Sequence, residues 1–360
     1  MTRRRASRQI WVGGVPIGGG APISVQSMAC TDTRDVSATV DQIRQLEEVG
    51  CEIIRVAVPD HEAAQALPAI KRGISIPLIA DIHFDYRLAL LALEGGVDGL
   101  RLNPGNIRNL EHVKAVVGAA KERAVPIRIG VNAGSLPPAE SAEEAAQPVP
   151  QRMVEVALRQ VRLLESFDYD LIKVSLKAFD VPTTVEAYRT IADQMPYPLH
   201  LGVTEAGTPA AGIVRSSVGI GALLYLGIGD TLRVSLTADP REEVRVGWEI
   251  LKSLDLRQRG AVLVSCPTCG RTEVDLIRLA NEVERRLQKV TQPVKVAVMG
   301  CVVNGPGEAR EADVGLAAGR GRGAIFRGGQ VVRTVAESEY LSVLMEEVDK
   351  VLRERVGKPD

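Results

Sequence analysis

Between residue 23 and about residue 254, short β-branched runs alternate with longer stretches in which apolar residues recur at helical spacing. The runs predict eight strands, at Ile23–Met28, Glu52–Pro59, Ile76–Ile82, Gly99–Pro104, Pro126–Asn132, Leu171–Lys177, Leu199–Glu205 and Thr231–Leu236. The intervening stretches predict helices, such as Val36–Val49, Tyr86–Leu93, Val154–Leu164 and Arg241–Leu254. Eight strand–helix repeats predict an α/β fold, a closed (β/α)8 barrel of the TIM type. A doubly wound sheet is less favoured, because no G-x-G-x-x-G motif follows the first strand.

The chain outside these repeats predicts three further features. Gln9–Gly20 places two short extended pieces around Gly13-Gly14, which predicts a hairpin at the barrel's lower end. The Pro-, Ala- and Glu-rich tract Pro137–Pro150 predicts a mobile loop after the fifth strand. Beyond a linker at Gln258-Arg259-Gly260 we expect a small α/β domain, with strands Ala261–Ser265 and Val294–Met299, a helix Thr272–Lys289, a hairpin of Ala324–Phe326 and Gln330–Thr334, and a terminal helix from Glu337. The expected domains are therefore residues 1–257 and 258–360.

The inward face of the predicted barrel is cationic. Alternate residues of a barrel strand face the helices and the lumen. This alternation turns six cations inward, namely Arg55, Arg101, Arg128, Lys173, Lys177 and Arg233. Asp81 and Glu205 offset only part of that charge. Uncompensated buried charges cost several kcal/mol each, and arginine forks suit phosphate oxygens, so the pattern predicts a phosphate or diphosphate ligand. Lys173, the deepest of the six, could instead be structural.

Composition narrows the class of protein. The 360-residue chain is 45% hydrophobic and 25% charged, and its net charge of −1 gives no indication of nucleic acid or of a membrane surface as a partner. No apolar run approaches the ~18 residues of a membrane span, and the first residues lack the apolar core of a signal peptide. Five cysteines are too sparse for a secreted disulfide scaffold. We expect a cytoplasmic protein with neither a nucleic acid nor a membrane partner.

Three cysteines near the C-terminus carry the strongest chemical signal. Cys266 and Cys269 have C-x-x-C spacing, and Cys301 follows in a glycine-rich loop. A closed structural zinc site needs four Cys or His ligands, yet all four histidines lie far upstream. Three thiolate ligands, with the fourth iron left open or bound by an oxygen ligand, are typical of a catalytic iron–sulfur cluster. For the C-x-x-C pair alone, a redox disulfide, a zinc knuckle and two core cysteines stay open as alternatives.

Several motifs together resemble one family, the bacterial 4-hydroxy-3-methylbut-2-en-1-yl diphosphate synthases of the methylerythritol phosphate pathway. The resemblance covers essentially the whole chain. In the barrel it rests on Val25-Gln26-Ser27-Met28, Asp81-Ile82-His83-Phe84, Arg101-Leu102-Asn103-Pro104-Gly105-Asn106, Arg128-Ile129-Gly130-Val131-Asn132 and Gly202-Val203-Thr204-Glu205-Ala206-Gly207. Its most specific motifs are Ser265-Cys266-Pro267-Thr268-Cys269-Gly270-Arg271-Thr272 and Met299-Gly300-Cys301-Val302-Val303-Asn304-Gly305-Pro306-Gly307-Glu308-Ala309. A small departure is Ala29-Cys30-Thr31, where the family commonly has Thr and Asn.

The resemblance implies a cofactor, a reaction and site residues. The cofactor is a [4Fe–4S] cluster held by Cys266, Cys269, Cys301 and the carboxylate of Glu308. The reaction is the reductive ring opening and dehydroxylation of 2-C-methyl-D-erythritol 2,4-cyclodiphosphate, with two electrons arriving singly from flavodoxin or ferredoxin. The implied substrate ligands are Arg55, Arg101, Asn103, Arg128, Asn132, Lys177, Arg233 and Ser235. His83, Asp81 and Glu205 are candidates to orient a hydroxyl or deliver a proton, although His83 could instead serve only as a partner of Asp81.

A geometric constraint bears on the assembly. The linker to the second domain follows the eighth helix, at the barrel's lower face, whereas substrate must bind at the upper face, where the carboxyl ends of the strands lie. The family resemblance implies a head-to-tail homodimer in which each cluster domain caps the barrel of the other subunit. We expect that arrangement, with an active site shared between the subunits.

Two other functional classes stay open at this point. One is a redox-inert phosphosugar aldolase or isomerase with Lys177 as Schiff-base lysine and a zinc-bound tail, which borohydride trapping of substrate on Lys177 would favour. The other is a metal-stabilised binding module whose barrel senses a diphosphate. Such a module would bind its ligand tightly and show no turnover with a reducing donor.

Overall fold

The computed structural model describes residues 3–103, 106–107, 109–301, 307 and 310–356. The chain divides into two compact units, Met1–Arg257 and Gln258–Asp360. The division falls at the segment for which the sequence predicts a linker. Within the described ranges, no helix combines the length and the apolar character that crossing a membrane requires.

The first unit is a hairpin followed by a (β/α)8 barrel. The hairpin consists of β1 (Ile10–Val12) and β2 (Val15–Ile17). The barrel strands are β3 (Ser24–Met28), β4 (Ile53–Ala57), β5 (Leu78–Asp81), β6 (Gly99–Arg101), β7 (Ile127–Asn132), β8 (Ile172–Lys177), β9 (His200–Leu201) and β10 (Thr231–Leu232). The helices are α1 (Val36–Glu48), α2 (His61–Gly73), α3 (Tyr86–Glu94), α4 (Leu110–Glu122), α5 (Ala142–Ala146), α6 (Val149–Glu165), α7 (Val181–Ala192), α8 (Pro209–Tyr225) and α9 (Pro240–Ser253).

The eight barrel strands form one parallel sheet in the order β8-β7-β6-β5-β4-β3-β10-β9. A bridge between Val174 and Leu199 joins β8 to the start of β9 and closes the barrel. The eight strands and the barrel fold that the sequence predicts are confirmed, with shorter strands than expected. The residues that follow each ladder, such as Asn103 and Ser235, lie at the upper face instead of inside the sheet.

Two apolar clusters stabilise the barrel. Outward residues such as Ile54 and Val56 are fully buried against the surrounding helices, which begin at side-chain caps such as Asp35 and Asp60. At the lower end, the hairpin buries apolar residues against the lumen-facing Ile53 and Ile79. The hairpin therefore closes the bottom of the lumen, and only the upper face is left for a ligand.

The prediction of a loop throughout Pro137–Pro150 was wrong for part of the tract. Residues Ala142–Ala146 form the short helix α5, which the Ser141 hydroxyl caps by accepting the Glu144 N–H at 3.2 Å. The buried Glu144 carboxylate then pairs with Arg159 of α6 at 2.9 Å. The composition of the tract indicated a loop, whereas this cap and this tertiary ion pair favour a helix.

The described residues of the second unit include a five-stranded sheet and two α-helices. Its elements are β11 (Ala261–Ser265), α10 (Leu276–Leu287), β12 (Val294–Met299), β13 (Val314–Ala318), β14 (Arg322–Arg327), β15 (Gln330–Ala336) and α11 (Tyr340–Val356). Strands β11, β12 and β13 run parallel, and β14 and β15 form the predicted antiparallel hairpin. Strand β13 was not predicted. Helices α10 and α11 bury Val283 and Leu344 in one core with Val296 and Leu316 of the sheet.

Gly202, which directly follows β9, lies where the lumen is tightly packed, and its substitution tests that packing. A Cβ on Gly202 would lie 2.7 Å from the Arg233 carbonyl oxygen and 2.6 Å from Lys177 Nζ. Since the carbonyl belongs to the neighbouring strand, we expect Gly202→Ala to lower the free energy of unfolding by roughly 1–3 kcal/mol. Gly221→Ala is the matched control, because a Cβ there meets nothing within 4 Å and alanine favours the α8 helix. Denaturant unfolding of both variants measures the difference, and equal stability would contradict the tight contact.

Candidate active site

The lumen of the barrel collects the predicted cations. Arg101 and Arg128 lie opposite each other on β6 and β7, and Arg128 lies opposite Lys173 on β8. These three residues and Lys177 are buried, and Lys173 is only 2% exposed. Arg55 and Arg233 are mostly buried as well. The structure thus places all six cations as the alternation of the strands predicts.

Asp81, at the end of β5, is one of two buried counter-charges. Its carboxylate lies 3.5 Å from Arg55 Nε and 3.3 Å from Arg101 Nη1. Burial alone would raise the pKa of Asp81, but Arg55, Arg101 and Arg128 together outweigh burial and lower the pKa from its usual range. Asp81 is therefore ionised at neutral pH, and its carboxylate holds the guanidinium groups of Arg55 and Arg101 in place.

His83 connects this buried group to solvent. Its Nε2 lies 3.6 Å from Asp81 Oδ1, and its Nδ1 lies 3.3 Å from Arg101 Nη1. The His83 side chain is nevertheless 59% exposed. The ring can therefore contact Asp81 and a ligand at the upper face at the same time.

Glu243 is the second buried counter-charge among the described lumen residues, and it was not predicted from the sequence. It lies in the first turn of α9, where a glutamate is usually solvated, so the Pro240-Arg241-Glu242-Glu243 run gave no reason to place it inside. Its carboxylate lies 3.1 Å from Arg233 Nη2 and accepts the Leu236 N–H at 2.8 Å. Burial raises the pKa of Glu243, in spite of the opposing effect of Arg233. Glu243 holds Arg233 at the upper face.

Glu205 does not have the charge-balancing role expected of it. It follows β9 in a loop, is exposed, and has a φ of +55°. Solvent screens an exposed carboxylate, so Glu205 offsets little of the lumen charge. That expectation was wrong, because Glu243 rather than Glu205 enters the lumen from above. Its exposed position does not bear on the other role predicted for Glu205, which is to orient a hydroxyl or deliver a proton.

The neutral residues predicted as ligands lie around the same opening. The Asn103 side-chain oxygen accepts the Gly130 N–H at 2.9 Å, which ties the loop after β6 to β7. Asn132 ends β7 and is partly buried. Ser235 Oγ accepts a hydrogen bond from Arg233 Nη1. These polar groups place hydrogen-bonding atoms beside the cations at the mouth of the lumen.

Several buried polar atoms in the lumen have no hydrogen-bond partner among the described residues. They include Lys173 Nζ, Arg128 Nε and Nη1, and both ring nitrogens of His200, which is 0% exposed. Buried polar groups in proteins are nearly always paired. The inward parity of β9 could have indicated His200, which the sequence analysis passed over. The unpaired cations among these groups make the lumen suited to an anion.

The lumen reduces its own positive charge through its lysines. Burial, together with Arg128 and Arg55, lowers the pKa of Lys173 to about 7. Burial and the neighbouring arginines also lower the pKa of Lys177 well below its usual range. Burial lowers the pKa of His200 in the same way. The buried Asp81 and Glu243 therefore supply too little negative charge to balance the basic side chains, and an anionic ligand would supply the rest.

In the second unit, two of the predicted metal ligands follow neighbouring strands. Ser265 of β11 lies opposite Val298 of parallel strand β12, so Cys266 and Cys301 come after the same edge of the sheet. The Gly300 N–H donates to Cys266 Sγ at 3.3 Å. The backbone N–H of Arg271, followed by its side chain, lowers the pKa of the exposed Cys269. We call this edge the cysteine edge.

The donor set at the cysteine edge is compatible with an iron–sulfur centre. N–H groups directed at sulfur favour thiolates, which are the ligands that such clusters need. No group of three or more His, Cys, Asp or Glu residues stands ready to bind a metal ion in the described part of the chain. Glu308 lies outside the described residues. The structure therefore brings Cys266 near the loop of Cys301 but does not assemble a complete ligand set.

Comparisons with known proteins agree with this two-part architecture. The family model "GcpE TIM-barrel domain" matches residues 7–248, and "GcpE protein C-terminal domain" matches residues 262–350. Among solved structures, dihydropteroate synthase from Stenotrophomonas maltophilia has a TM-score of 0.51 at 13% identity and covers 69% of this chain and 99% of its own. At such low identity this likeness shows a common barrel fold alone.

Curated relatives match nearly the full chain. One from Dehalococcoides mccartyi is 61% identical over 97% of this chain and 99% of its own length. One from Geobacter sulfurreducens is 62% identical with the same coverage, and one from Caldanaerobacter subterraneus is 55% identical over 98% of this chain and 99% of its own. All three carry the name 4-hydroxy-3-methylbut-2-en-1-yl diphosphate synthase (flavodoxin). The chain belongs to the GcpE family.

Proposed function

We propose that the chain catalyses the reductive ring opening of 2-C-methyl-D-erythritol 2,4-cyclodiphosphate to 4-hydroxy-3-methylbut-2-enyl diphosphate. The observation that carries the proposal is the buried cluster of four arginines and two lysines in the lumen, which among the described residues is faced by only two buried carboxylates, Asp81 and Glu243. The names of the full-length relatives support this reaction over a redox-inert aldolase or a diphosphate-sensing module. The reaction belongs to isoprenoid precursor biosynthesis, which we place in the cytoplasm.

The overall change requires two electrons and a proton. The C–O bond to one end of the diphosphate breaks, and the diphosphate keeps the electron pair. A hydroxyl on the neighbouring carbon takes up the proton and leaves as water, while the two electrons allow the carbon–carbon double bond to form. The open diphosphate has one more ionisable oxygen than the cyclic one, so negative charge increases where the barrel's cations lie.

The lumen residues bind the diphosphate and stabilise this added charge. Arg101, Arg128 and Lys177 would contact it from the walls of the lumen. Arg55, Arg233, Asn103, Asn132 and Ser235 would contact it from the mouth. Asp81 and Glu243 hold three of the arginine forks in place before substrate arrives, so little reorganisation is needed as the charge develops.

The proton that the leaving hydroxyl takes up would be supplied by a side chain at the upper face. His83 is exposed and also contacts Asp81, so its ring can take a proton from solvent and hold it toward the leaving hydroxyl. Asp81 would stabilise the ring while it is charged. Glu205, on the exposed loop after β9, is a second candidate to orient the hydroxyl.

The second unit would hold the redox group. Cys266, Cys269, Cys301 and the Glu308 carboxylate would ligate a [4Fe–4S] cluster, which supplies electrons to the substrate one at a time when bound. The Gly300 N–H donates to Cys266 Sγ, and the Arg271 backbone N–H lowers the pKa of Cys269. A carboxylate is a harder ligand than a thiolate and is more easily displaced from iron. Glu308 would therefore be the ligand that exchanges with substrate. The electrons would come from a flavodoxin, or alternatively a ferredoxin.

The assembly we propose is a head-to-tail homodimer. Residues 1–257 bind substrate, residues 258–360 carry the cluster, and each active site combines the two from different subunits. The end of the first unit supports this arrangement. Arg257 donates to the Ile23 carbonyl at 2.8 Å and pairs with Glu52, at the amino ends of β3 and β4. The second unit is thus tethered at the lower face, whereas the proposed substrate site opens at the upper face.

Iron content tests the cofactor. We expect anaerobically purified protein to be brown, to contain about four irons per chain, and to bleach in air. Cys301→Ser should lose most of the iron, because it removes a thiolate ligand. Cys30→Ser is the matched control, since Cys30 is an exposed cysteine of the first unit. Metal analysis and visible spectra provide the measurement. Colourless wild-type protein with one zinc per chain would refute the cluster.

Proton uptake tests the link between the lumen lysines and the ligand. An anion bound beside Lys173 should raise its pKa from about 7, so binding should take up protons and affinity should fall as the pH rises above that value. Calorimetry at about pH 8, in buffers of different ionisation enthalpy, counts the protons. We expect Lys173→Met to reduce the uptake and Lys114→Met, on the exposed side of α4, to leave it unchanged. Equal uptake in both variants would exclude Lys173 as an acceptor.

Mixed dimers test the shared site. Arg128→Met should inactivate the barrel, and Glu308→Ala should inactivate the tail. If the two units act across subunits, chains carrying one change each should together recover roughly a quarter of wild-type activity, because half of the randomly paired dimers are mixed and each has one intact site. Co-expression with two affinity tags isolates the mixed species. Absence of recovery in isolated mixed dimers would rule the arrangement out.

A further inference from the structure

The cysteine edge carries exposed arginines that form no ion pair with a carboxylate of the described residues. Arg278 lies in the first turn of α10, and Arg320 and Arg322 flank Gly321 where the chain turns from β13 into β14. All three side chains are exposed, and none forms an ion pair with another described residue. Because β11, β12 and β13 are parallel, the Arg320–Arg322 turn follows the same edge of the sheet as Cys266 and Cys301.

Several other cations of the second unit form ion pairs. Arg285 pairs with Glu282, Arg333 with Glu346, and Arg355 with Asp313. Lys350 contacts both Glu346 and Glu347. Arg278, Arg320 and Arg322, which have no ion pair among the described residues, lie together at the cysteine edge, whereas Arg310 and Arg353 lie elsewhere.

The nearby carboxylates bind backbone groups instead. Glu273 Oε2 accepts the Arg320 N–H at 2.9 Å, and Glu337 Oε2 accepts the Gly321 N–H at 3.1 Å. Gly321 has a φ of +74°, which glycine adopts without strain. Asp275 caps α10 by accepting the Arg278 N–H. These contacts fix the turn and leave the guanidinium groups of Arg320 and Arg322 available to a partner.

An exposed apolar residue accompanies the arginines. Ile277 is 63% exposed in the first turn of α10. Its neighbour Leu276 packs against Gly300, where an added Cβ would lie 2.9 Å from Leu276 Cδ2. Ile277 therefore lies close to the loop that leads into Cys301. Apolar residues surrounded by charged ones are typical of protein interfaces.

We propose that Ile277, Arg278, Arg320 and Arg322 form the docking surface for the electron donor, an acidic one-electron flavin protein of the flavodoxin type. The inference rests on the proposed function, because only a redox role requires a protein donor near the cysteines. Opposite charge steers such a donor to the edge and orients it, while Ile277 excludes water at the contact. Binding then depends on salt, as expected when exposed charges contribute.

Direct binding tests the surface. Calorimetry measures the affinity of purified oxidised flavodoxin for the cluster-loaded enzyme at low and at physiological ionic strength. We expect the double variant Arg320→Glu/Arg322→Glu to weaken binding roughly tenfold or more at low salt and to flatten the salt dependence. Lys289→Glu/Arg353→Glu is the matched control. It makes the same total charge change on two exposed residues away from the cysteine edge, because Lys289 follows α10 and Arg353 lies near the end of α11, where Arg355 contacts Asp313 beside the start of β13. Wild-type affinity in the double variant would overturn the proposal.

Turnover separates this proposal from the function on which it rests. With dithionite as a small reductant, the double variant should open the cyclic diphosphate with wild-type kcat and KM, whereas its flavodoxin-driven kcat/KM should fall. If the KM for the cyclic diphosphate rises equally with both reductants, the arginines serve the substrate and the docking surface is refuted. If the cluster-loaded wild type shows no dithionite-driven turnover, the proposed function fails, whatever the binding result.

Discussion

Positive charge buried inside the barrel is the constraint on which the rest of the site depends. Arg101, Arg128, Lys173 and Lys177 lie in a lumen where most barrels have branched apolar side chains. Apolar layers between strands and helices stabilise the fold against this unfavourable charge, and the hairpin closes the lower end. With the bottom closed, the field of the cations is directed to the upper face, where a diphosphate can enter and neutralise it.

The separation of the two chemical sites along the chain follows from the same geometry. The cations occupy the first unit, and the cysteines lie at one edge of the sheet in the second. Arg257 fixes the end of the first unit beside Ile23 and Glu52, at the lower face. The linker therefore leaves the first unit at the lower face, and the proposed homodimer would bring cysteines to the upper face from the other subunit.

Much of this could be predicted from the sequence, because strand alternation determines both the fold and the polarity of the lumen. The period of two in Ile172–Lys177 placed Lys173 and Lys177 inside, and the structure agrees. Glu243 was missed because its position in a helix follows a helical period, and only tertiary contact turns it toward Arg233. Strand β13 was missed because Val314–Ala318 is short and rich in glycine and alanine. The contacts of Glu308 lie outside the described residues.

The titratable lysines explain how one lumen can suit both a cyclic and an open diphosphate. Fixed arginines alone would favour the more negative product most and would retain it after reaction. Lys173 and Lys177 have lowered pKa values, so their charge can change with that of the ligand. The lowered pKa values favour neutral lysines in the empty lumen, which reduces the repulsion among the six basic side chains, and a bound anion would favour the charged forms. Because protonating the lysines costs free energy, they bind any anion less tightly than permanently charged groups would, and this limits retention of the more negative product.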